Sequence, residues 1–150
     1  KQKTAYEIST RDWSSDVCSS DLLKYIVNQL KQDGSAGDPG GERVLRLYTN
    51  NYSPAKSTVI GDLTETTISG YTEITVTGSN WTVATSGGTN SAVYSEQTFT
   101  FTTAATIYGY YITTSELTPS LLWVERFSTA PFTLPAGGGE IAITPRITLN

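Results

Sequence analysis

The stretch SAVYSEQTFTF, residues 91–101, decides the fold class of this chain. Its alternation places Phe99 and Phe101 on one face and Thr98 and Thr100 on the other. A period of two is that of a β-strand, in which successive side chains point to opposite faces of the sheet. Threonine, tyrosine and phenylalanine also pack well on a pleated surface. The stretch therefore predicts a strand with one apolar face and one polar face.

The same alternation recurs along the chain from residue 43 onwards. It is present in RVLRLYT (43–49), EITVT (73–77), WTVAT (81–85), TIYGYYIT (106–113), SLLWVERF (120–127) and EIAITPRITL (140–149). Short strands at close spacing are typical of antiparallel sandwiches and jelly rolls. Pro145 cannot donate a ladder hydrogen bond, so the last run is expected to be an edge strand or to carry a bulge. We therefore predict an all-β, antiparallel β-sandwich or jelly-roll-like domain over residues 43–150.

One short amphipathic helix is predicted before this domain, over residues 23–33. The apolar residues that would share one helical face are spaced i, i+3, i+4 and i+7: Leu23, Ile26, Val27 and Leu30. A helix of this length is not stable alone in water, so it must pack on the end of the sheet or on another subunit. In the second case these four residues would be assembly contacts. Residues 34–42, GSAGDPGGE, form a linker by composition.

Residues 1–22 have a different character and are expected to be non-native. Reverse translation of KQKTAYE and of DWSSDVCSSDL resembles the two constant segments of an indexed short-read sequencing adapter, read in one frame. The segment is too acidic for a transit peptide and lacks the apolar core of a secretory signal. We therefore exclude it from reasoning about the fold, together with Cys18, the only cysteine of the chain.

Charge and composition exclude several classes of function. The chain has 10 basic and 14 acidic side chains and no histidine, for a net charge of −4. Nucleic acids and anionic membranes require a basic face, so neither is an expected partner. No apolar run is long enough to span a bilayer. With no histidine and one cysteine, imidazole and thiolate metal sites and the common catalytic triads are also excluded, and no cofactor is expected.

Glu125 is the carboxylate that could take part in catalysis. It alternates with Trp123 and Phe127 on one face of its predicted strand, where a carboxylate needs a partner. Its two interpretations are a structural charge at the rim of a sheet and the acid of a minor hydrolase. No second carboxylate is placed beside it by spacing, so we predict no catalytic residue and no enzyme.

The aromatic residues admit two interpretations as well. Trp123, Tyr108 and Tyr110 could form a platform on which sugar rings stack, together with Tyr111 and Trp81. Alternating tyrosines in a strand are, however, usually half-buried core residues with the hydroxyl at the rim. Both interpretations remain open from the sequence.

Four segments of the chain carry a resemblance to known proteins: LRLYTNNYSPAKSTVIGDLTETTISGYTEITVTGSNWTV, TIYGYYIT, LLWVERF and ITPRITL. They resemble a group of small β-rich virion structural proteins of tailed phages. The resemblance covers residues 43–150 and carries no functional residues with it. It implies a β-sandwich subunit of a phage head or tail, assembled in the host cytoplasm, that contacts copies of itself and other virion proteins. The alternative is a carbohydrate-binding module of a tail fibre or secreted enzyme, with a cell-surface glycan as its partner.

Overall fold

The computed structural model describes residues 43–76, 80–86, 89–115 and 117–149. Within these ranges the chain forms strands and the short 3-10 turn Ile60–Asp62, and Asn80 is also in 3-10 conformation. The strands are β1 (Arg43–Tyr48), β2 (Ile74–Val76), β3 (Thr82–Ser86), β4 (Thr89–Val93), β5 (Gln97–Phe101), β6 (Ala105–Ile107), β7 (Gly109–Thr114), β8 (Leu121–Arg126), β9 (Phe132–Leu134), β10 (Gly139–Ile143) and β11 (Arg146–Leu149).

Every pairing between these strands is antiparallel, which confirms the all-β prediction for the described residues. The predicted helix at 23–33, the linker at 34–42 and the segment 1–22 lie outside the described residues. So do the predicted assembly contacts Leu23, Ile26, Val27 and Leu30.

A four-stranded sheet with the order β2-β1-β7-β8 forms one side of the domain. β1 pairs with β7 along its whole length, from Arg43 opposite Thr114 to Tyr48 opposite Gly109. All six residues of β7 are buried, because the core covers one face of the sheet and the segment between β1 and β2 covers the other. β7 is therefore the central strand of the domain.

Four strand pairs are nested along the second half of the chain. The innermost pair is β7 with β8, and β6 with β9, β5 with β10 and β4 with β11 follow outwards in that order. The register changes little from one pair to the next, since Ile107 lies opposite Phe132, Phe101 opposite Gly139 and Val93 opposite Arg146. Residues 89–149 thus form one long antiparallel ribbon, and β3 pairs with its outer end at β4.

The ribbon is interrupted where a residue cannot continue the ladder. Pro145 is buried between β10 and β11, and its carbonyl accepts a hydrogen bond from the Tyr94 amide at 2.9 Å. Because proline has no N–H, the run 140–149 divides into two strands, which pair with β5 and β4 in turn. A second interruption lies at Tyr108, whose amide donates to the Tyr48 carbonyl at 3.0 Å, between β6 and β7.

The main core cluster combines residues of the four-stranded sheet with residues of the other strand pairs. Leu45, Leu47 and Ile112 enter it from the sheet, and each is fully buried. Phe99 and Phe101 enter it from β5 and are also buried, whereas Thr98 and Thr100 are exposed. The alternation therefore gives the predicted burial pattern over residues 97–101, since β5 covers the core with one face only. The single strand expected over residues 91–101 is divided, because residues 94–96 separate β4 from β5, and Tyr94, on the face expected to be polar, is buried.

Candidate functional site

A cleft opens beside β8, where the two strands β8 and β10 approach the connection between β8 and β9. Its volume is about 390 Å³. Its lining includes two carboxylates, two phenylalanines and two hydroxyls: Glu125, Glu140, Phe127, Phe132, Ser128 and Thr129. We call it the β8–β10 cleft. Concave sites with a few polar groups among apolar ones are the usual form of a ligand site.

The connection between β8 and β9 shapes one wall of this cleft. The Phe127 amide donates to the Tyr108 carbonyl at 2.9 Å, so the ladder extends one residue beyond β8. The Ala130 amide then donates back to the Phe127 carbonyl at 3.1 Å, which closes a turn. Because the facing strand has no matching insertion, the turn protrudes from the ribbon and carries the Ser128 and Thr129 hydroxyls to the cleft.

Glu125 is held in place by a phenol from the neighbouring strand. It lies directly opposite Tyr110, whose hydroxyl donates to Oε2 of Glu125 at 2.6 Å. The ring of Tyr110 is buried in the core, while Glu125 itself is exposed. Burial raises the pKa of the Tyr110 hydroxyl, and the hydrogen bond to Glu125 and its negative charge raise that pKa further. The phenol therefore remains a donor, and the second carboxylate oxygen of Glu125 is available to a ligand.

Phe132 and Glu140 complete the cleft from the two strands that follow. The Phe132 side chain on β9 is 42% exposed, which is high for a phenylalanine in a paired strand. Glu140 on β10 lies opposite Thr100 and is also exposed. The cleft thus combines an aromatic surface with carboxylate acceptors and hydroxyl groups.

The aromatic platform suggested by the sequence is not assembled in this form. Tyr110 is buried in the main core, and Trp123 packs partly buried against the same core. Tyr108 packs instead with Tyr48 and Tyr111 in a second cluster. The structure therefore separates Tyr108 from the other two, because the ribbon is interrupted at this residue.

Sequence reasoning singled out Glu125, found no spacing that pairs it with Glu140, and missed Phe132. Phe132 begins a strand of three residues that follows Pro131, and three residues are too few to show a period. Glu140 was assigned to a strand without any indication of its neighbours. The nested order of the strand pairs brings β8 near β10, and this order could not be predicted from the sequence.

A second polar cluster lies on the four-stranded sheet, around Glu65. Arg46 of β1 donates to Oε2 of Glu65 at 2.7 Å and also contacts Glu73 at 2.6 Å. The hydroxyls of Tyr71 and Tyr111 donate to the two oxygens of Glu65, at 2.9 Å and 3.3 Å. Glu65 therefore ties the segment between β1 and β2 to the sheet.

The same contacts stabilise the charged form of Arg46. Burial alone would lower its pKa, but the hydrogen bond to Glu65 and the charges of Glu65 and Glu73 outweigh burial and raise it. The carboxylate of Glu65 is already bound by three donors of its own chain. This arrangement stabilises a loop and leaves little capacity for a ligand, so the Glu65 cluster is structural.

Replacing Glu65 with alanine should lower the free energy of unfolding by about 2 kcal/mol, because three partly buried donors lose their acceptor. Urea denaturation measures the loss. Glu73→Ala is the matched control, because Glu73 is exposed and its one ion pair among the described residues is with Arg46, and its effect should stay below about 0.5 kcal/mol. Equal effects of the two substitutions would contradict the assignment of a structural role to Glu65.

No group of three or more acidic, histidine or cysteine side chains in the described ranges could hold a metal ion. Among the same residues, no helix has the length and apolar character needed to cross a membrane. No protein-family model, curated protein or solved structure matches this chain.

Proposed function

We propose that this chain is a virion structural protein of a tailed phage, either a head decoration protein or a tail-associated subunit. It acts by assembly and surface contacts and catalyses no reaction. The resemblance of residues 43–150 to small phage virion proteins is one support for this proposal. The open edge of the four-stranded sheet is the structural observation that carries it.

The proposal includes a jelly-roll-like fold. In a jelly roll, one long antiparallel hairpin folds over itself so that its strands are distributed between two sheets. The four nested pairs from β4 with β11 to β7 with β8 have this order. One feature is additional to the four nested pairs, because β1 pairs with β7 and extends the sheet on that side.

β8 is the edge of the four-stranded sheet, with no further strand beside it in the described part of the chain. Ile112 and Thr113 face Trp123 and Leu121, so Leu122 is the extra residue of a bulge. Leu122 is 41% exposed, and Leu117 in the preceding loop is fully exposed. An edge with unpaired backbone groups and exposed leucines is suited to contact another subunit.

The chain should therefore form oligomers in which a second copy contacts the end of β8 that carries Leu122, a residue outside the lining of the β8–β10 cleft. Light scattering coupled to size exclusion measures the mass of the full chain over a range of concentrations. Leu122→Lys should weaken association at least tenfold, which is about 1.4 kcal/mol, because a charge on the edge opposes strand addition. The matched control is Thr72→Lys, an exposed residue near the opposite edge of the same sheet.

A monomer at every concentration would contradict self-assembly through β8. The virion role has its own test, because mass spectrometry of purified particles from the encoding phage should detect peptides of residues 43–150. Recovery of those peptides only from the soluble lysate, and never from particles, would contradict the virion role.

A further inference from the structure

We propose that the β8–β10 cleft binds a neutral carbohydrate. A sugar ring presents C–H groups on its faces and hydroxyl groups around its edge. A site for it therefore needs an apolar surface beside several hydrogen-bonding groups, and water must be able to leave the apolar surface when the ring binds. The cleft supplies both within one concave surface.

Phe132 provides the apolar surface. Its ring is 42% exposed although β9 is paired with β6, so it does not serve to fill the core. Phe127, partly buried, lies in the same lining and packs against the Tyr110 ring at a centroid distance of 6.4 Å. A sugar face placed on Phe132 would remove from water an aromatic surface that the fold itself leaves uncovered.

Glu125 and Glu140 provide acceptors for the hydroxyls of the sugar. Glu125 is already oriented, because Tyr110 holds Oε2 at 2.6 Å, and no other described residue bonds to Oε1. A fixed carboxylate costs little conformational entropy on binding and forms charge-assisted hydrogen bonds, which are stronger than neutral ones. Ser128 and Thr129 in the same lining can both donate and accept.

The charge of the lining disfavours an anionic ligand. Two carboxylates repel an anion, so a phosphate or an acidic sugar does not fit. Arg126 also lines the cleft, but its guanidinium lies on the opposite face of β8, since its Nη1 donates to the Tyr52 carbonyl at 3.0 Å and its Cζ lies 5.1 Å from the centre of the Tyr108 ring. The exposed Phe132 ring and the two hydroxyls favour a sugar over a cationic side chain, and titration with an arginine-containing peptide separates the two. The volume of about 390 Å³ is near the lower end of ligand sites, which suits one or two sugar rings.

The test is a titration of the full chain with neutral oligosaccharides of glucose, galactose, mannose and N-acetylglucosamine, followed by the amide NMR shifts of Ser128, Thr129 and Ala142. We expect saturable shifts of these amides with at least one oligosaccharide. Phe132→Ala and Glu140→Gln should each weaken binding at least tenfold. The matched control for the second variant is Glu96→Gln, an exposed glutamate outside the cleft, which should bind as the original chain does.

Circular dichroism of each variant checks that the sheets are retained. Should Phe132→Ala fail to fold, Phe132→Leu tests the same surface with an apolar residue that lacks an aromatic ring, and it should also bind at least tenfold more weakly. The proposal is overturned if no neutral oligosaccharide gives saturable shifts, or if binding survives both Glu140→Gln and the loss of the ring. It is equally overturned if an arginine-containing peptide saturates the same amides and the oligosaccharides do not, because the cleft would then accept a cationic side chain. None of these results bears on oligomer formation, so the carbohydrate site and the proposed virion role fail separately.

Discussion

Replacing Gly109 with alanine should lower the free energy of unfolding by at least about 3 kcal/mol. A Cβ at this position would overlap the Glu125 carbonyl oxygen and would lie 2.6 Å from the Tyr48 hydroxyl. Tyr48 lies opposite Gly109 in the ladder, and its fully buried ring occupies the space that a side chain would need. The added methyl group must therefore displace either the backbone of β8 or a large side chain of β1, and both lie in close-packed surroundings.

Chemical denaturation monitored by circular dichroism measures this loss. The matched control is Gly61→Ala in the exposed 3-10 turn, where an added Cβ meets no atom within 4 Å, and its effect should stay within about 0.5 kcal/mol. A Gly109→Ala chain as stable as the control would show that β7 and β8 do not approach as closely as the structure has them.

Raising the pH from about 9 to about 11 should lower the free energy of unfolding by about 4 kcal/mol. The cause is a group of buried phenols. Burial is the largest cause of a raised pKa at each of Tyr71, Tyr110 and Tyr111, and the charge of Glu65 or Glu125 adds to it. In the unfolded chain the same hydroxyls ionise near about pH 10.

Between the unfolded pKa of about 10 and the higher pKa of the folded chain, the folded chain holds protons that the unfolded chain has released. A raised folded pKa therefore gives stability that is complete below about pH 10 and is lost as the pH rises towards the folded value. Each of the three phenols should contribute about 1.4 kcal/mol to the loss at about pH 11. Stability should consequently fall with increasing slope on the alkaline side.

Equilibrium unfolding at a series of pH values tests this dependence, and phenolate absorbance reports the ionisation directly. Tyr111→Phe should reduce the loss at about pH 11 by about 1.4 kcal/mol, since one phenol with a raised pKa is removed. General charge repulsion would act on this variant and on the original chain alike. A loss that is the same in both chains would therefore contradict the role of the buried phenols.

The fold class was predictable from the sequence because alternation is a local property. Residues 97–101 show which side chains face the core without reference to any other strand, and the structure buries Phe99 and Phe101 accordingly. Pro145 was expected to place its strand at an edge or to cause a bulge, because the missing N–H is a property of the residue itself. In the structure it lies between two strands, β10 and β11, so the run is divided. The partner of each strand was not predictable, since pairing depends on residues far apart in the chain.

In the candidate site, too, the residue types were predictable from the sequence and their contacts were not. Glu125 could be singled out because a carboxylate between two aromatic residues is unusual in a strand. Its actual partner, the hydroxyl of Tyr110, is fixed by the register of β7 against β8. Trp123, Tyr108 and Tyr110 look equivalent as a list of aromatic residues, but the interruption at Tyr108 assigns them to two different clusters.

The sequence alone therefore determined the period of the longer strands, the polar character of the surface and the absence of imidazole groups, since the chain has no histidine. Those properties follow from residue types and from spacings of a few residues. Only the tertiary structure decided that β1 lies between β2 and β7, that Glu65 binds three donors, and that Phe132 and Glu140 share a cleft with Glu125. The physical reason is that the nested ribbon brings together residues that are remote in the chain, and its order is set by packing of the whole core.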